Sequence, residues 1–262
     1  MSNKYIFLIA LTLVIHFIDT LSYSVRLNSV KSGNFALSTS LFNIIVLVSR
    51  TANTFQGPLI GSLIDSSISH KYDPLMQVRG IIFAASGGTL MAIVLIPTFL
   101  KLFGVAMAKL EVSGSIPSLV VQSLSVSNIK RIAKNTIKPK KSMLDNLRYK
   151  NIPKRLLLLN AFITGIYTIG VLSSNYAVIY LPQKAATIAQ SSGLINGIAT
   201  IMLTLFIDPK SAVITDEAYR GKREYGDVKA LVIMLIGTKL IGTLLGQLFL
   251  VPSARLLSLI YK

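Results

Sequence analysis

Asp19 lies in the first apolar run of the chain with Arg26 just at its end, Arg50 lies in the middle of the second, and Lys239 lies near the middle of the last. Positions three and four apart share a helical face. Thr12, His16, Asp19, Tyr23 and Arg26 therefore form one polar stripe, and Asn43, Arg50, Asn53 or Thr54, Gly57 and Gly61 approximately form another. Ser192, Asn196, Thr200 and Thr204 form a third stripe, while Asn160, Thr164, Tyr167 and Asn175 line the run before it. Arg50 and Lys239 carry two central positive charges against the single carboxylate of Asp19, and Arg26 adds another cation nearer a membrane face. Such a surplus calls for an anion, because unpaired cations away from water carry a desolvation cost. The planar fork of arginine suits phosphate. Asn, Gln, Thr and Tyr suit hydroxyl and amide groups. An anionic, sugar-bearing lipid headgroup fits this set, and so does a small organic anion.

Each residue also has a plainer reading. Asp19 can pair with Arg26 or Arg50 simply to hold helices together. Arg26 can snorkel to headgroups, whereas Arg50 is too central for that and points to a cavity or an ion pair. Lys239 reads equally as structural or substrate-facing. His16 reads first as a packing residue and second as a proton carrier. Gly242 with Gly246, and Gly193 with Gly197, read as close helix contacts. The chain has only two histidines, His16 and His70, and no HExxH or GxSxG motif. No catalytic or metal-ligating set emerges, and no cofactor is expected.

These side chains must be positioned by membrane helices. Of 262 residues, 52% are hydrophobic and only 14% charged, and apolar runs long enough to cross a bilayer recur throughout. The runs are continuous rather than alternating, which excludes a β-barrel. The fold class is an all-α, polytopic membrane protein. We place spans at Tyr5–Val25, Ala36–Ile64, Ile81–Phe103, Leu156–Leu181, Ala185–Ile207 and Leu231–Val251. The second is long, and reads as tilted, interrupted or re-entrant. The first has no small-residue cleavage site after it and reads as a retained helix. Absence of cysteine excludes disulfides and thiol chemistry.

The net charge of +17 resembles that of a nucleic-acid binder, but its distribution argues otherwise. Residues 105–155 hold a dense run of lysines and arginines, Lys130 to Lys141 above all, against only Glu111 and Asp145. This is the pattern of a cytoplasmic loop beside anionic lipids, with no nucleic-acid partner implied. Within it, the stretch after Pro117 has apolar residues that can gather on one face of an interfacial helix. With six spans, both termini then face outward.

Three windows recur in order and at nearly equal separation: TLSYSV at Thr20 with TGIYTI at Thr164, SRTANTFQGPLIGSLID at Ser49 with SGLINGIATIMLTLFID at Ser192, and VRGIIFAASGGTLMAIVL at Val78 with VKALVIMLIGTKLIGTLL at Val228. The expected plan is a three-helix repeat over 1–104, the basic loop over 105–155, and a second three-helix repeat over 156–262. An odd number of spans per repeat inverts the second half, a plan common in transporters.

The stretch from HFIDTLSYSVRLNSVKSGNF through SRTANTFQGPLIGSLID, together with YTIGVLSSNYAVIYLP and INGIATIMLTLFIDPKSAVITDEAYRGK, resembles the Amj family of bacterial lipid II flippases. The resemblance implies a non-enzymatic transporter of the cytoplasmic membrane. Its substrate would be the undecaprenyl-pyrophosphate-linked disaccharide-pentapeptide of peptidoglycan synthesis, moved from the inner to the outer leaflet. It carries no residue roles with it. On that substrate, our own reading assigns Arg50 and Lys239 to the pyrophosphate and Arg26 to an inner-leaflet gate. Asp19 and His16 balance charge or carry protons. Tyr23, Asn53, Gln56 and Asn196 contact sugar or peptide. The alternatives are a non-transporting scaffold for cell-wall enzymes and a small-anion transporter. Oligomeric state is not legible.

Overall fold

A computed structural model describes residues 3–113, 136–137 and 139–262, and all regular structure in them is helical. The interfacial helix expected after Pro117 lies outside the described residues. Among the described residues, six helical passages are long and apolar enough to cross a membrane. The first is Asn3–Ser32, the third Leu75–Ser113, the fourth Lys154–Ala177 and the sixth Tyr225–Ile260. The second consists of Phe35–Thr54 and Gln56–Ser69, and the fifth of Ala185–Met202, a wide π-turn at Leu203–Ile207, and Asp208–Tyr219. The passages overrun the apolar windows because their polar ends satisfy helical hydrogen bonds as well in headgroups and water as in lipid.

A proline follows each of the two interruptions, although Pro97 and Pro252 lie inside the unbroken third and sixth spans. Pro58 has no N–H to give the carbonyl of Thr54, four residues earlier. The helix breaks there, and the Phe55 N–H bonds instead to Ala52 O at 3.1 Å. Phe55 keeps helical torsions, φ −71° and ψ −16°, so the chain continues across the membrane and is not a re-entrant hairpin. Pro209 stands in the same relation to Leu205, inside the π-turn. In consequence Asp208, expected in the loop after the fifth span, sits on helix that continues that span.

The first and fourth spans are central. The first packs mainly on the third and second, and the fourth mainly on the sixth and fifth, with the sixth also touching the third and first. One apolar core gathers Tyr23, Leu27, Leu156, Ile163, Leu231 and Leu235; a second gathers Leu8, Ile60, Ile81, Ile169, Tyr176 and Leu250. Small polar side chains join the helices, as expected where lipid offers no hydrophobic drive. Ser86 donates to Thr243 at 3.0 Å, Asn28 to the Leu100 carbonyl at 2.8 Å, and Ser49 to the Ile15 carbonyl at 3.2 Å.

The first and third spans approach closely at Gly88. A Cβ there would run into the Leu13 carbonyl oxygen and lie 3.1 Å from the Phe17 nitrogen, whereas the neighbouring Gly87 has open space. Gly88→Val is therefore expected to destabilise the protein by about 1–3 kcal/mol through overpacking, with Gly87→Val nearly neutral. Thermal unfolding in detergent checks this, and equal midpoints for the two variants contradict it.

The loops after the first, third and fifth spans meet at one end. There Tyr225 donates to the Leu27 carbonyl at 3.5 Å, the Arg148 N–H to Gly226 O at 3.4 Å, and Asn151 to Asp227 at 2.8 Å. Both termini and the remaining turns share the other end, where Tyr176 donates to Asp73 at 3.1 Å and Ser191 to the Tyr261 hydroxyl at 2.9 Å.

Candidate functional site

The polar stripes converge on a seam between the first span and the C-terminal half. Asp19 and Lys239 form an ion pair across it. The lysine is 1% exposed, and its ammonium lies 5.3 Å from the centre of the Tyr23 ring. Asp19 thus pairs with Lys239, and not with Arg26 or Arg50 as its place on the stripe suggested. The pair sits between the two apolar cores, on the first span between Leu8 and Tyr23 and on the sixth between Ile236 and Leu250.

Arg26 does not snorkel. Its Nη2 pairs with Asp208 Oδ1 at 3.1 Å, and its guanidinium lies 4.8 Å from the Phe42 ring centre and 5.5 Å from that of Tyr23. It therefore joins the second, first and fifth spans. Its Nη1 is buried and has no hydrogen-bond partner among the described residues. Asp208 is the residue that sequence reasoning missed. An Asp-Pro pair closing an apolar run reads as a turn, and only the continuing helix returns the carboxylate to the seam. Counting it, three cations face two carboxylates, and the positive surplus shrinks to a single charge.

That charge is Arg50. It makes no ion pair among the described residues, and it is half-buried. Its neighbour Ser49 bonds to the Ile15 carbonyl, which sets Arg50 beside the first span. Asn53, one turn on, donates to the Tyr167 hydroxyl at 3.5 Å and brings the second span to the fourth.

The other expected contact residues are engaged in packing. Gln56 is buried and donates to Thr12 at 2.6 Å, tying the second span to the first. The Tyr23 hydroxyl donates to Asn160 Oδ1 at 3.3 Å, while the Asn160 amide donates to the Leu235 carbonyl and Thr238, both at 2.9 Å. Asn160 therefore links three spans. Asn196 presses its carboxamide on Gly170, and its buried oxygen has no partner among the described residues. His16 is buried one turn from Asp19, and its Nδ1 has no hydrogen-bond partner among the described residues. An apolar groove of about 740 Å³ lies between the first two spans, lined by Phe7, Leu11, Leu47, Val48, Phe55 and Pro58 among others, with no charged side chain in its lining.

Six membrane-length helices joined by ion pairs between spans place the chain among the polytopic helical membrane proteins. The family model described as Amj, Alternate to MurJ, matches residues 11–261, so the chain belongs to the Amj family. It is 37% identical to the Lipid II flippase Amj of Bacillus subtilis (strain 168), over all of this chain and 98% of that protein. No solved structure matches it.

Proposed function

We propose that this protein is a lipid II flippase of the bacterial membrane, moving the undecaprenyl-pyrophosphate-linked peptidoglycan precursor from the inner to the outer leaflet for cell-wall synthesis. Full-length similarity to a protein named for that activity supports the substrate class. The observation in this chain that carries the reading is Arg50, an arginine inside the membrane region without an ion-pair partner among the described residues. A phosphate oxygen is the group it lacks. Arg50 receives the pyrophosphate, Arg26 stands at its loop-side entrance, and Asn53 meets the sugar or peptide. Lys239, Asp19 and His16 form the charge-balancing group behind it.

Orientation follows from charge. Lys31, Lys101, Lys140, Lys150, Lys154 and Lys222 are all exposed at the end that carries the basic loop. By the positive-inside rule this end faces the cytoplasm and its anionic lipids. The substrate then enters from the end at which Arg26 and Asp208 stand. A duplicated, inverted architecture is supported by the matched packing of the two halves and by a proline-linked interruption in each of the second and fifth spans.

The test is leaflet exchange of labelled lipid II in liposomes containing the purified protein. Acceleration over protein-free liposomes is expected. Exchange at the protein-free rate favours a scaffold, and inhibition by soluble phosphates without any lipid requirement favours a small-anion transporter.

A further inference from the structure

We infer that Asp208 sets the selectivity of this site, admitting a pyrophosphate and refusing lipids that carry one phosphate. The inference rests on the pyrophosphate reading above. A bilayer is crowded with single-phosphate lipids, so a site with several free cations would fill with them. The seam avoids this by keeping its cations occupied. Lys239 is 1% exposed and held by Asp19, and Arg26 is held by Asp208. Arg50 alone of the three has no ion pair among the described residues. One phosphodiester can neutralise Arg50 and gains nothing more.

Asp208 differs from Asp19 in ways that make it displaceable. Arg26 holds its carboxylate at 3.1 Å, and Arg50 stands beside the same first span through its neighbour Ser49, so a second phosphate reaching Arg26 would meet Asp208 there. Its side chain is 35% exposed, against 11% for the arginine that holds it. The carboxylate therefore has more freedom to turn away than the arginine, which is flanked by Phe42 and Tyr23. The buried Nη1 of Arg26 offers a donor that Asp208 leaves unused. A pyrophosphate bound at Arg50 can present its second phosphate to Arg26, replace one charge-assisted bond with a forked pair, and release Asp208. A lipid with one phosphate cannot do both. Asp208 is on this view a specificity-determining residue that competes with the substrate for Arg26.

The experiment compares exchange of labelled lipid II and labelled phosphatidylglycerol by reconstituted wild-type, Asp208→Asn and Asp208→Glu proteins. Wild type is expected to accelerate lipid II exchange and leave phosphatidylglycerol at the protein-free rate. Asp208→Asn is expected to accelerate phosphatidylglycerol exchange and lower the ratio of the two rates at least tenfold, while Asp208→Glu keeps it. An unchanged ratio in a folded Asp208→Asn protein, or wild-type exchange of both lipids alike, overturns the inference. A wild type that exchanges neither lipid overturns the flippase reading instead. Should Asp208→Asn not accumulate, the wild type in detergent decides. Inorganic pyrophosphate is expected to raise its thermal midpoint where inorganic phosphate at equal ionic strength does not, and equal shifts overturn the inference.

Discussion

Asp19→Ala is expected to destabilise the folded protein by about 3–5 kcal/mol, the range for removing one partner of a buried ion pair. The reason is the residue left behind. Lys239 is 1% exposed and has no second carboxylate within ion-pair distance among the described residues. Its ammonium would keep only the face of the Tyr23 ring, 5.3 Å away. A charge so placed has neither water nor a headgroup to turn to. The double variant Asp19→Asn, Lys239→Met removes both charges and is expected to recover most of the loss, since apolar replacement of a whole pair is often neutral. Thermal unfolding of the purified proteins in detergent reads both effects. An Asp19→Ala midpoint within a degree of wild type would show that the pair adds nothing.

Arg50→Ala is expected to do the opposite: abolish most transport while leaving stability nearly intact. Arg50 makes no ion pair among the described residues, so its removal strands no carboxylate, and it relieves the membrane region of one unpaired charge. Loss of charge-assisted hydrogen bonds to a phosphate, about 1.5–3 kcal/mol, corresponds to a roughly ten- to hundred-fold fall in lipid II exchange. Arg50→Lys keeps the charge but not the fork, and is expected to fall between the two. The decisive comparison sets exchange rate against thermal midpoint. Loss of both in parallel would mean that Arg50 is a structural residue, and normal exchange would remove it from the site.

Most of the architecture is legible in the sequence because lipid imposes a simple rule on backbone and side chain alike. Continuous apolar runs become helices, and the charges among them turn inward. That rule finds all six spans and the faces of Asp19, Arg26, Arg50 and Lys239. It does not find partners. Asp19 lies two turns from Arg26 on its own helix, yet pairs with a lysine 220 residues away, and no periodicity on one helix reports which neighbour lies across from it. Hydropathy also ends a span where polarity rises, whereas a helix ends where its hydrogen bonds end. Asp208 fell in that gap, and with it half of the negative charge in the seam. Gln56 and Tyr23 show a third limit. Residue type marks them as possible donors to a sugar, but Thr12 and Asn160 already engage them, and that is a property of packing.

The 220-residue separation of Asp19 and Lys239 also constrains how the protein is made. At a synthesis rate of roughly 5–20 residues per second, about 10–45 seconds pass between emergence of the carboxylate and emergence of its counter-ion. During that interval the first span must enter the bilayer on the apolarity of its 30 residues alone, with Asp19 still unmatched. The nascent first span is therefore a waiting intermediate. Its neighbours from the second and third spans can shelter it, Arg50 among them, but its ion-pair partner arrives only with the sixth. The ion pair at the centre of the molecule is in this sense a completion mark: it cannot form until the last membrane helix is in place.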